Sequence, residues 1–333
     1  MYEQHTGDTA YLQKLIDSSD TAVIPKTNPL TGDDLWIISS PLFLTSQKTV
    51  ILDGAHLRLA DGVYSNIFAT EVPVGEPKTA DDLLHDIHIL GQNDAVLDGG
   101  IHNGLTEKTA NKDGRPHILN NTFVYLRGVS GFSVKNLRIV NPRYWGLTFT
   151  YCDGGEISDI DFTAANDAPN QDGIDLRVGC HDIVIRSITG STGDDTVALT
   201  GLLGITGQKQ AIEGLSHDIH DVIIENISAY VTGGHGIIRL LCHDGVQLYN
   251  VRMEHIHDRS IDCDGVRCQA AIRIGDRNYA GIRPALPEEM HDITVSDVLT
   301  NAKIAVKLHG GPQNLVLQNV RTTDSDGCQL LID

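Results

Sequence analysis

Short apolar and polar segments alternate along most of the chain, and one four-residue pattern recurs among them. In this pattern an apolar residue and a variable residue precede an asparagine or aspartate, and a second apolar residue follows. Valine and isoleucine fill most of the apolar positions, which favours strands over helices. The seven copies, one of which has serine in the third place, are VKNL from Val134, ISDI from Ile157, IRSI from Ile185, IENI from Ile224, LYNV from Leu248, VSDV from Val295 and LQNV from Leu317.

The spacing of these copies indicates a repeat architecture. The intervals between them are 23, 28, 39, 24, 47 and 22 residues. We interpret the interval of 47 as two periods that contain one degenerate copy, so the basic period is 22 to 24 residues. Repeats of this length form leucine-rich or β-helical solenoids, and the leucine-rich consensus is absent. The sequence therefore predicts an all-β fold, a parallel β-helix in which each coil buries its apolar face against the next.

We expect about ten such coils in a single domain that covers residues 1–333. The recurrent asparagine or aspartate suits a side chain that bonds the turn backbone at the same corner of every coil. The apolar residues expected inside the coils are Ile157, Ile160, Ile185, Ile188, Ile224, Ile227, Leu248 and Val251.

Helical periodicity is strong in only one segment, DTAYLQKLID near the start of the chain. Leu12, Leu15 and Ile16 would form one apolar face there, behind a cap at Asp8 or Thr9. We predict a capping helix over residues 9–18 that covers the first coil, because the open end of a β-helix exposes unpaired strand edges that invite aggregation.

Charge and hydropathy argue against two classes of partner. Acidic residues exceed basic ones by 44 − 25 = 19, and no run of lysine or arginine occurs, so nucleic acid is not expected to bind. No stretch reaches the roughly 18 apolar residues of a membrane span, so we expect no membrane partner. The first twenty residues lack the apolar region of a signal peptide, which predicts a cytoplasmic protein, or a secreted one if a signal has been removed. The oligomeric state is left open.

The six cysteines are scattered and lack CxxC spacing, which favours free thiols over a disulfide framework. Only Cys263 and Cys268 are close enough in sequence to keep a disulfide or metal interpretation open. The full set is Cys152, Cys180, Cys242, Cys263, Cys268 and Cys328.

Several acidic residues fall at the same position of successive repeats. Counted from the preceding copy of the pattern, Asp194 lies at +9, Asp195 at +10 and His235 at +11. Asp172 lies at +15, but its interval is about five residues longer than the period. If the loop at residues 165–170 accounts for the excess, Asp172 falls near +10. Because neighbouring strands lie about 4.8 Å apart, these side chains should form a column on one outer face.

Trp145 at +11 and Arg273, about one period plus two beyond its copy, extend this column. Each short motif taken alone is more often turn chemistry, and we interpret Asp175 as a turn residue or as one whose side chain bonds the backbone. Adjacent strand residues point to opposite faces, so Asp194 and Asp195 share the cleft only if Gly193 permits a bend.

A column of carboxyl groups suits hydrolysis of a glycosidic bond with inversion. That reaction needs one protonated and one ionised carboxyl group about 6.5–9.5 Å apart, a range that groups one or two coils apart would span. Like-charge repulsion would raise the pKa of at least one aspartate and keep it protonated near neutral pH. A neighbouring histidine could orient or tune a carboxylate.

The segments NQDGID, GDDTVAL, GGHGI and IRIG, in this order, resemble the signature of the polygalacturonase-type family of glycoside hydrolases. The usual forms in that family are NTDGID, GDDCIAI, GHG and RIK. VILDGAHLRLADG, GRPHILNN and NPRYWGLTFTYC resemble earlier family segments, so the similarity extends over most of the chain from about residue 9. The resemblance implies a right-handed parallel β-helix, a pectic substrate, no metal or other cofactor, and hydrolysis with inversion.

Carried over by position, the resemblance makes Asp194 the general acid, while Asp172 and Asp195 hold and activate the water. His235 would assist, and Arg273 would bind the substrate. Trp145, which lies on the same column, is a further candidate for substrate binding.

Three positions depart from the family pattern: Gln171 replaces threonine, Thr196 replaces cysteine and Gly275 replaces lysine. The resemblance implies that the arginine and lysine face the carboxylate of galacturonate, so the loss of the lysine predicts a sugar other than plain galacturonan. The cations that could compensate are Lys307, which lies 12 residues beyond Val295, and Arg239, Arg267 and Arg277.

These observations predict an exo-acting hydrolase of oligosaccharides or polysaccharides. The exo mode follows from the expected cytoplasmic location, where imported oligosaccharides would be trimmed. A β-helical lyase or epimerase and a carbohydrate-binding protein without activity remain alternatives, since fold alone does not decide among them. A lyase would need a well-placed base with cationic or metal support rather than three aspartates.

Overall fold

The computed structural model of the chain describes residues 3–71, 76–100, 118–165, 168–204, 210–243, 245–262, 266–275, 284 and 286–333. Helix α1 covers Asp8–Asp17, and short 3-10 helices cover Glu3–His5, Ala80–Asp82, Ile118–Asn121 and Arg259–Ile261.

The strands are β1 (Thr21–Pro25), β2 (Trp36–Ile38), β3 (Leu42–Phe43), β4 (Lys48–Asp53), β5 (His56–Leu59), β6 (Phe68–Ala69), β7 (Lys78–Thr79), β8 (Leu84–Gln92), β9 (Val96–Asp98), β10 (Val124–Arg127), β11 (Val129–Val140), β12 (Leu147–Thr150), β13 (Asp153–Thr163), β14 (Ile174–Arg177), β15 (His181–Thr192), β16 (Val197–Gly201), β17 (Ile212–Glu213), β18 (Ile219–Val231), β19 (Ile238–Cys242), β20 (Leu248–Asp258), β21 (Ala270–Ile274), β22 (Met290–Thr300), β23 (Ile304–Leu308), β24 (Gln313–Thr322) and β25 (Cys328–Ile332).

Two long parallel sheets run along the molecule. In the first, the strands follow the order β1, β4, β8, β11, β13, β15, β18, β20, β22 and β24, with β2, β5 and β9 beside this path. In the second, the order from the opposite end is β25, β23, β21, β19, β16, β14, β12, β10, β6 and β3. The chain alternates between the two sheets and advances by one strand position with each coil, so the predicted parallel β-helix is confirmed.

The recurrent asparagine and aspartate occupy a left-handed backbone conformation. The third residue of each of the seven copies has a φ between 51° and 58°. Asparagine and aspartate tolerate this region far better than residues with branched or bulky side chains. The pattern in the sequence therefore marks a backbone requirement at a corner of the coil, and Asn250 meets it at a different corner from the other six, because Val251 pairs with Val222 rather than with Ile227. The seven residues are Asn136, Asp159, Ser187, Asn226, Asn250, Asp297 and Asn319.

The requirement for a left-handed conformation can be measured at Asn226. We expect Asn226→Ala to lower the free energy of unfolding by about 1 kcal/mol, because alanine pays the left-handed penalty that asparagine largely avoids. Asn226→Gly should cost less, since glycine adopts positive φ freely. Denaturant titration measures both variants, with Ser228→Ala on the same strand as the control. Equal losses for alanine and glycine would contradict this explanation.

The strand register corrects one part of the predicted repeat. Leu248 pairs with Ile219, whereas the residue that continues the Ile224 position is Met253. The copy in this coil is therefore MEHI, in which His255 takes the left-handed position with a φ of 57°. Strand β20 pairs directly with β22, so the long interval is one coil rather than two periods, and the prediction of a missing copy is wrong.

The interior of the coils matches the prediction. All eight apolar residues expected inside are buried, from Ile157 to Val251. One core cluster includes them together with Leu12 and Ile16 of helix α1, so the helix covers the first coil as expected. The predicted cap is wrong, because the residue before the helix is Gly7. Asp8 lies inside the helix, where its carboxylate accepts a hydrogen bond of 2.9 Å from the backbone N–H of Ile37.

Five cysteines lie among the described residues, and all five are free thiols, four of them buried. Cys263, the alternative partner of Cys268, lies outside the described residues. In the part of the chain that the structure describes, no helix combines the length and apolar character that crossing a membrane requires.

Candidate active site

Three aspartates meet where the second sheet begins its middle strands. Asp172 precedes β14, and Asp194 and Asp195 precede β16. The N–H of Gly173 donates a hydrogen bond of 2.9 Å to the carbonyl oxygen of Asp195, which joins the two coils at this level. One carboxylate oxygen from each aspartate lies within 4.8 Å of the others. The structure thus brings together the residues that the sequence placed in one column.

Local backbone features explain how two adjacent aspartates reach the same cleft. The chain bends at Gly193 and Asp194, and the N–H groups of both residues point to the carbonyl oxygen of Gln171, at 2.9 and 3.2 Å. The hydroxyl of Thr192 donates a hydrogen bond of 2.7 Å to the carbonyl oxygen of Asp194. Because this segment departs from strand geometry, the usual alternation of side chains does not separate Asp194 from Asp195.

Gly173 is required by the close approach of the two coils. A β-carbon at this position would lie 2.5 Å from the carbonyl oxygen of Thr196, a contact that backbone atoms cannot relieve without moving the coil. The glycine of the NQDGID segment therefore sets the distance between Asp172 and Asp195.

His235 lies at the mouth of the cleft beside Asp194. Its Nδ1 is 3.1 Å from Oδ1 of Asp194, and its side chain is 46% exposed, whereas that of Asp194 is 11% exposed. Asp194 is thus the most exposed of the three aspartates, and His235 lies between it and solvent.

Asp195 is fully buried and is held by two arginines. Nη2 of Arg273 donates to its Oδ1 at 2.6 Å, and the N–H of Gly236 donates to the same oxygen at 3.1 Å. Nε of Arg239 lies 3.1 Å from the other oxygen, Oδ2. Burial alone would raise the pKa of Asp195, but the two guanidinium groups outweigh it and lower the pKa below its ordinary value.

The pKa values of Asp172 and Asp194 are instead raised. Burial raises the pKa of Asp172 well above its ordinary value, and the neighbouring carboxyl groups, first Asp175 and then Asp194 and Asp195, raise it further. Burial and the charge of Asp195 also raise the pKa of Asp194, against the opposing effect of His235. Relative to an ordinary aspartate, the pKa of one carboxyl group in the cluster is therefore lowered and the pKa values of two are raised.

Asp175 is a fourth member of the cluster, and its interpretation as a turn residue is wrong. It lies within strand β14 and is fully buried, and burial raises its pKa to about 8. Among the described residues, neither of its carboxylate oxygens has a hydrogen-bond partner. The alternation of Ile174 and Leu176, which are buried in the core, could have indicated that Asp175 faces outward toward the other aspartates.

Trp145 and Lys307, the remaining candidates for substrate binding, are less exposed than His235. Trp145 is mostly buried, with the guanidinium carbon of Arg177 4.9 Å from its ring centroid, so little of its face is available to a sugar. Lys307 pairs in register with Arg273 on the next coil, and its Nζ lies 3.6 Å from Oδ2 of Asp333.

The other two cations that could replace the family lysine are Arg267 and Arg277. Arg267 forms an exposed ion pair of 3.2 Å with Asp324. Arg277 lies outside the described residues.

Gly275, the position of the family lysine, directly follows β21 and has a φ of 70°. This left-handed conformation is costly for a residue with a side chain. The backbone conformation at the end of this strand therefore favours glycine over the lysine of the family pattern.

The separation of the carboxyl groups differs from the expected value. Their nearest oxygens lie within 4.8 Å, closer than the roughly 6.5–9.5 Å typical of inverting glycosidases. Two oxygens at this distance can both accept hydrogen bonds of about 2.7 Å from one water molecule. The cluster can thus position a water, with the third carboxyl group left for proton transfer.

The same spacing would admit a divalent cation between the three carboxylates. However, Asp195 already pairs with Arg239 and Arg273, so two positive charges lie beside the position that a cation would take. The donor set therefore fits carboxyl groups that exchange protons better than it fits a metal centre.

Part of the chain that includes this site matches a known family of enzymes. Residues 84–237, just under half of the chain, match the family model described as glycosyl hydrolases family 28. All three clustered aspartates and His235 lie within the match. The predicted resemblance to the polygalacturonase-type family is thereby confirmed for this segment, and the match supports an O-glycoside hydrolase.

The sequence relatives include two polygalacturonases from conifers. The Cryptomeria japonica protein is 27% identical over 221 residues, which cover 53% of this chain and 42% of that protein. The Juniperus ashei protein is 37% identical over 105 residues, which cover 31% of this chain and 19% of that protein. The chain thus spans less than half the length of these relatives.

Solved structures share the fold at low sequence identity. An endo-xylogalacturonan hydrolase from Aspergillus tubingensis matches with a TM-score of 0.61 and 14% identity, over 99% of this chain and 89% of that one. A polygalacturonase from Erwinia carotovora ssp. carotovora matches with a TM-score of 0.57 and 18% identity, over 97% and 93%. A tailspike protein of E. coli bacteriophage HK620 gives 0.57 and 13%, over 97% and 55%.

Proposed function

We propose that this chain is an inverting O-glycoside hydrolase that acts on oligosaccharides or polysaccharides. The observation that carries the proposal is the cluster of three aspartates within 4.8 Å whose pKa values are shifted in opposite directions. Carboxyl groups in one site that differ in this way divide into an acid and a base.

In the proposed reaction, Asp194 is the general acid. Its raised pKa keeps a proton available, and its partial exposure beside His235 places that proton toward the entering sugar. Asp194 donates the proton to the leaving oxygen as the bond between that oxygen and the anomeric carbon breaks.

Asp172 and Asp195 hold the attacking water. Asp195 stays ionised because two guanidinium groups lie beside it, so it can accept a proton as the water oxygen bonds to the anomeric carbon. At the end of the reaction Asp195 carries a proton and Asp194 carries none, and solvent exchange restores the starting state.

Proton NMR of the first product formed by hydrolysis tests this mechanism. Inversion predicts that the new reducing end appears first as the anomer opposite to that of the substrate, before mutarotation. Retention would contradict the proposal, an unsaturated product would indicate a lyase, and binding without turnover would indicate a carbohydrate-binding protein. The lengths of the early products show whether the expected exo mode is correct.

The proposed substrate is a sugar other than plain galacturonan. A site that binds a uronate must replace the hydration of the carboxylate with charge-assisted hydrogen bonds, each worth about 1.5–3 kcal/mol. Here Arg239 and Arg273 contact Asp195, Lys307 lies near Asp333, and Gly275 supplies no cation. We therefore expect kcat/KM to be lower for oligogalacturonides than for neutral α- or β-linked oligosaccharides.

Gly275→Lys tests this preference, with Gly275→Ala as the matched control for the strain at positive φ. The lysine variant should gain activity on oligogalacturonides relative to the alanine variant, because it alone adds a charge. Efficient hydrolysis of oligogalacturonides by the unmodified protein would refute the preference and would point to Lys307 as the replacement cation.

A further inference from the structure

We propose that Arg239 is a positioning residue that determines which aspartate of the cluster remains ionised, rather than a residue that binds the sugar. This inference rests on the proposed function, because it concerns the proton distribution that the hydrolysis requires. It changes the role that the sequence suggested for Arg239 as a substitute for the missing family lysine.

The first observation is where the side chain of Arg239 points. Arg239 lies in β19, in register with Ala198 of β16 on one side and Arg273 of β21 on the other. Its side chain is only 9% exposed, and its Nε lies 3.1 Å from Oδ2 of Asp195. A guanidinium group in this position faces a carboxylate of the protein itself, and little of it is available to a sugar.

The second observation is how Asp195 divides its two oxygens. Oδ1 accepts from Arg273 at 2.6 Å and from the N–H of Gly236 at 3.1 Å. Oδ2 faces Arg239. Arg239 is thus the cation beside Oδ2, whereas Arg273 bonds Oδ1, and its removal would take one of two neighbouring positive charges from this buried carboxylate.

The third observation is the small residue between Arg239 and Asp175. In the second sheet, Asp175 pairs with Ala198, and Ala198 pairs with Arg239. Because alanine fills little space, Arg239 and Asp175 lie two strands apart on one column with no long side chain between them. Consistent with this arrangement, the charge of Arg239 lowers the pKa of Asp172, Asp175, Asp194 and Asp195 alike.

Other charged groups also face the cluster and must be considered in any pH dependence. They are Asp172 in the turn before β14, Asp175 and Arg177 in β14, Asp194 and Asp195 in the turn before β16, His235 in the turn before β19, and Arg273 in β21.

The consequence concerns the base of the reaction. Four buried carboxyl groups repel one another when ionised, and each also loses hydration. Without Arg239, burial and this repulsion would raise the affinity of Asp195 for a proton. A protonated Asp195 cannot accept a proton from water. As the pH falls, activity would therefore be lost at a higher pH than in the unmodified protein.

The test compares Arg239→Gln, which removes the charge and keeps an amide donor, with Arg239→Lys, which keeps the charge. The readout is kcat/KM as a function of pH on whichever glycoside the unmodified protein hydrolyses. We expect the acidic limb of the profile for Arg239→Gln to move up by about one pH unit, with kcat reduced about tenfold and KM little changed. Arg239→Lys should keep the acidic limb near its original position.

Arg252→Gln is the matched control, because Arg252 lies on β20 in the first sheet and forms an exposed ion pair of 3.4 Å with Glu254. It should leave the profile unchanged. A raised KM for Arg239→Gln with an unchanged profile would assign Arg239 to sugar binding and overturn the inference, while leaving the hydrolase proposal intact.

A second measurement does not depend on turnover. In a ¹³C NMR titration of the aspartate carboxyl groups, with Asp195→Asn used for assignment, Asp195 should titrate below the usual range in the unmodified protein and higher in Arg239→Gln. An unchanged titration overturns the inference. If Arg239→Gln does not fold, a normal or raised pKa for Asp195 in the unmodified protein overturns it. If the unmodified protein hydrolyses no glycoside, the proposed function fails, while this titration still tests the role of Arg239.

Discussion

Asp194→Asn should reduce kcat by about 10²-fold to 10⁴-fold on a substrate with a poor leaving group, which is the usual loss when a positioned acid is removed. Asparagine has nearly the same shape as aspartate, but its amide cannot donate the proton that the leaving oxygen requires. The fold should remain unchanged, because asparagine keeps the side-chain oxygen that accepts a hydrogen bond of 2.9 Å from the N–H of Asp195. Steady-state kinetics together with circular dichroism measure both effects.

The leaving group provides an internal control for this prediction. An aryl glycoside whose leaving group needs little protonation should be affected much less by Asp194→Asn than an oligosaccharide. Asp175→Asn is the matched variant, because an amide mimics a carboxyl group that is already protonated below about pH 8. It should change kcat far less. Wild-type activity of Asp194→Asn on a poor leaving group would show that another residue is the acid.

The second large effect concerns stability rather than turnover. Asp175→Asn should raise the free energy of unfolding above about pH 4 and should make it less dependent on pH. The folded chain keeps the proton of Asp175 up to about pH 8, whereas the unfolded chain releases it near the ordinary value of 3.8. Between these values the folded state binds more protons, so the stability of the unmodified protein falls as the pH rises.

The size of this effect follows from linkage. One group of this kind contributes a slope of up to about 1.4 kcal/mol per pH unit within that window. Asp175→Asn should remove this contribution, while Asp172, whose pKa is also raised by burial, should keep part of the slope. Urea titrations from pH 4 to pH 8 measure the difference.

The control for this prediction is Asp182→Asn, which alters an exposed aspartate of the first sheet that pairs with His181. It should leave the pH dependence nearly unchanged. If Asp175→Asn were instead less stable than the unmodified protein at pH 7, Asp175 would have to be ionised and paired in the folded state, and the assignment of its proton would be wrong.

The sequence by itself determined the coils and the approximate column of aspartates. Alternating valine and isoleucine specify which side chains point inward, because successive residues of a strand face opposite sides. Ile157, Ile185 and Ile224 are consequently all buried, as expected. Residues at equal distances from such positions must come close together once the coils stack, which is why Asp172 and Asp194 could be grouped from their spacing.

Loops of variable length and tolerant backbone positions set the limit of that reasoning. The coil that contains MEHI could not be recognised, because His255 takes the left-handed position that asparagine, aspartate or, once, serine takes in the other copies. Met253 and Val295 pair in adjacent coils although they are 42 positions apart, which is close to twice the period. Only the pairing of β20 with β22 distinguishes one long coil from two short ones.

The proton distribution of the site was decided by the tertiary structure alone. The partner of Arg239 is Asp195, 44 positions away in sequence, and Arg273 reaches the same carboxylate from 78 positions away. The apolar neighbours Ile174 and Leu176 indicate that Asp175 faces outward, but they do not indicate that its carboxyl group is buried with a raised pKa. A pKa depends on burial and on the charges within a few ångströms. Here those charges come from several different coils, so only the folded chain determines which aspartate is the acid and which is the base.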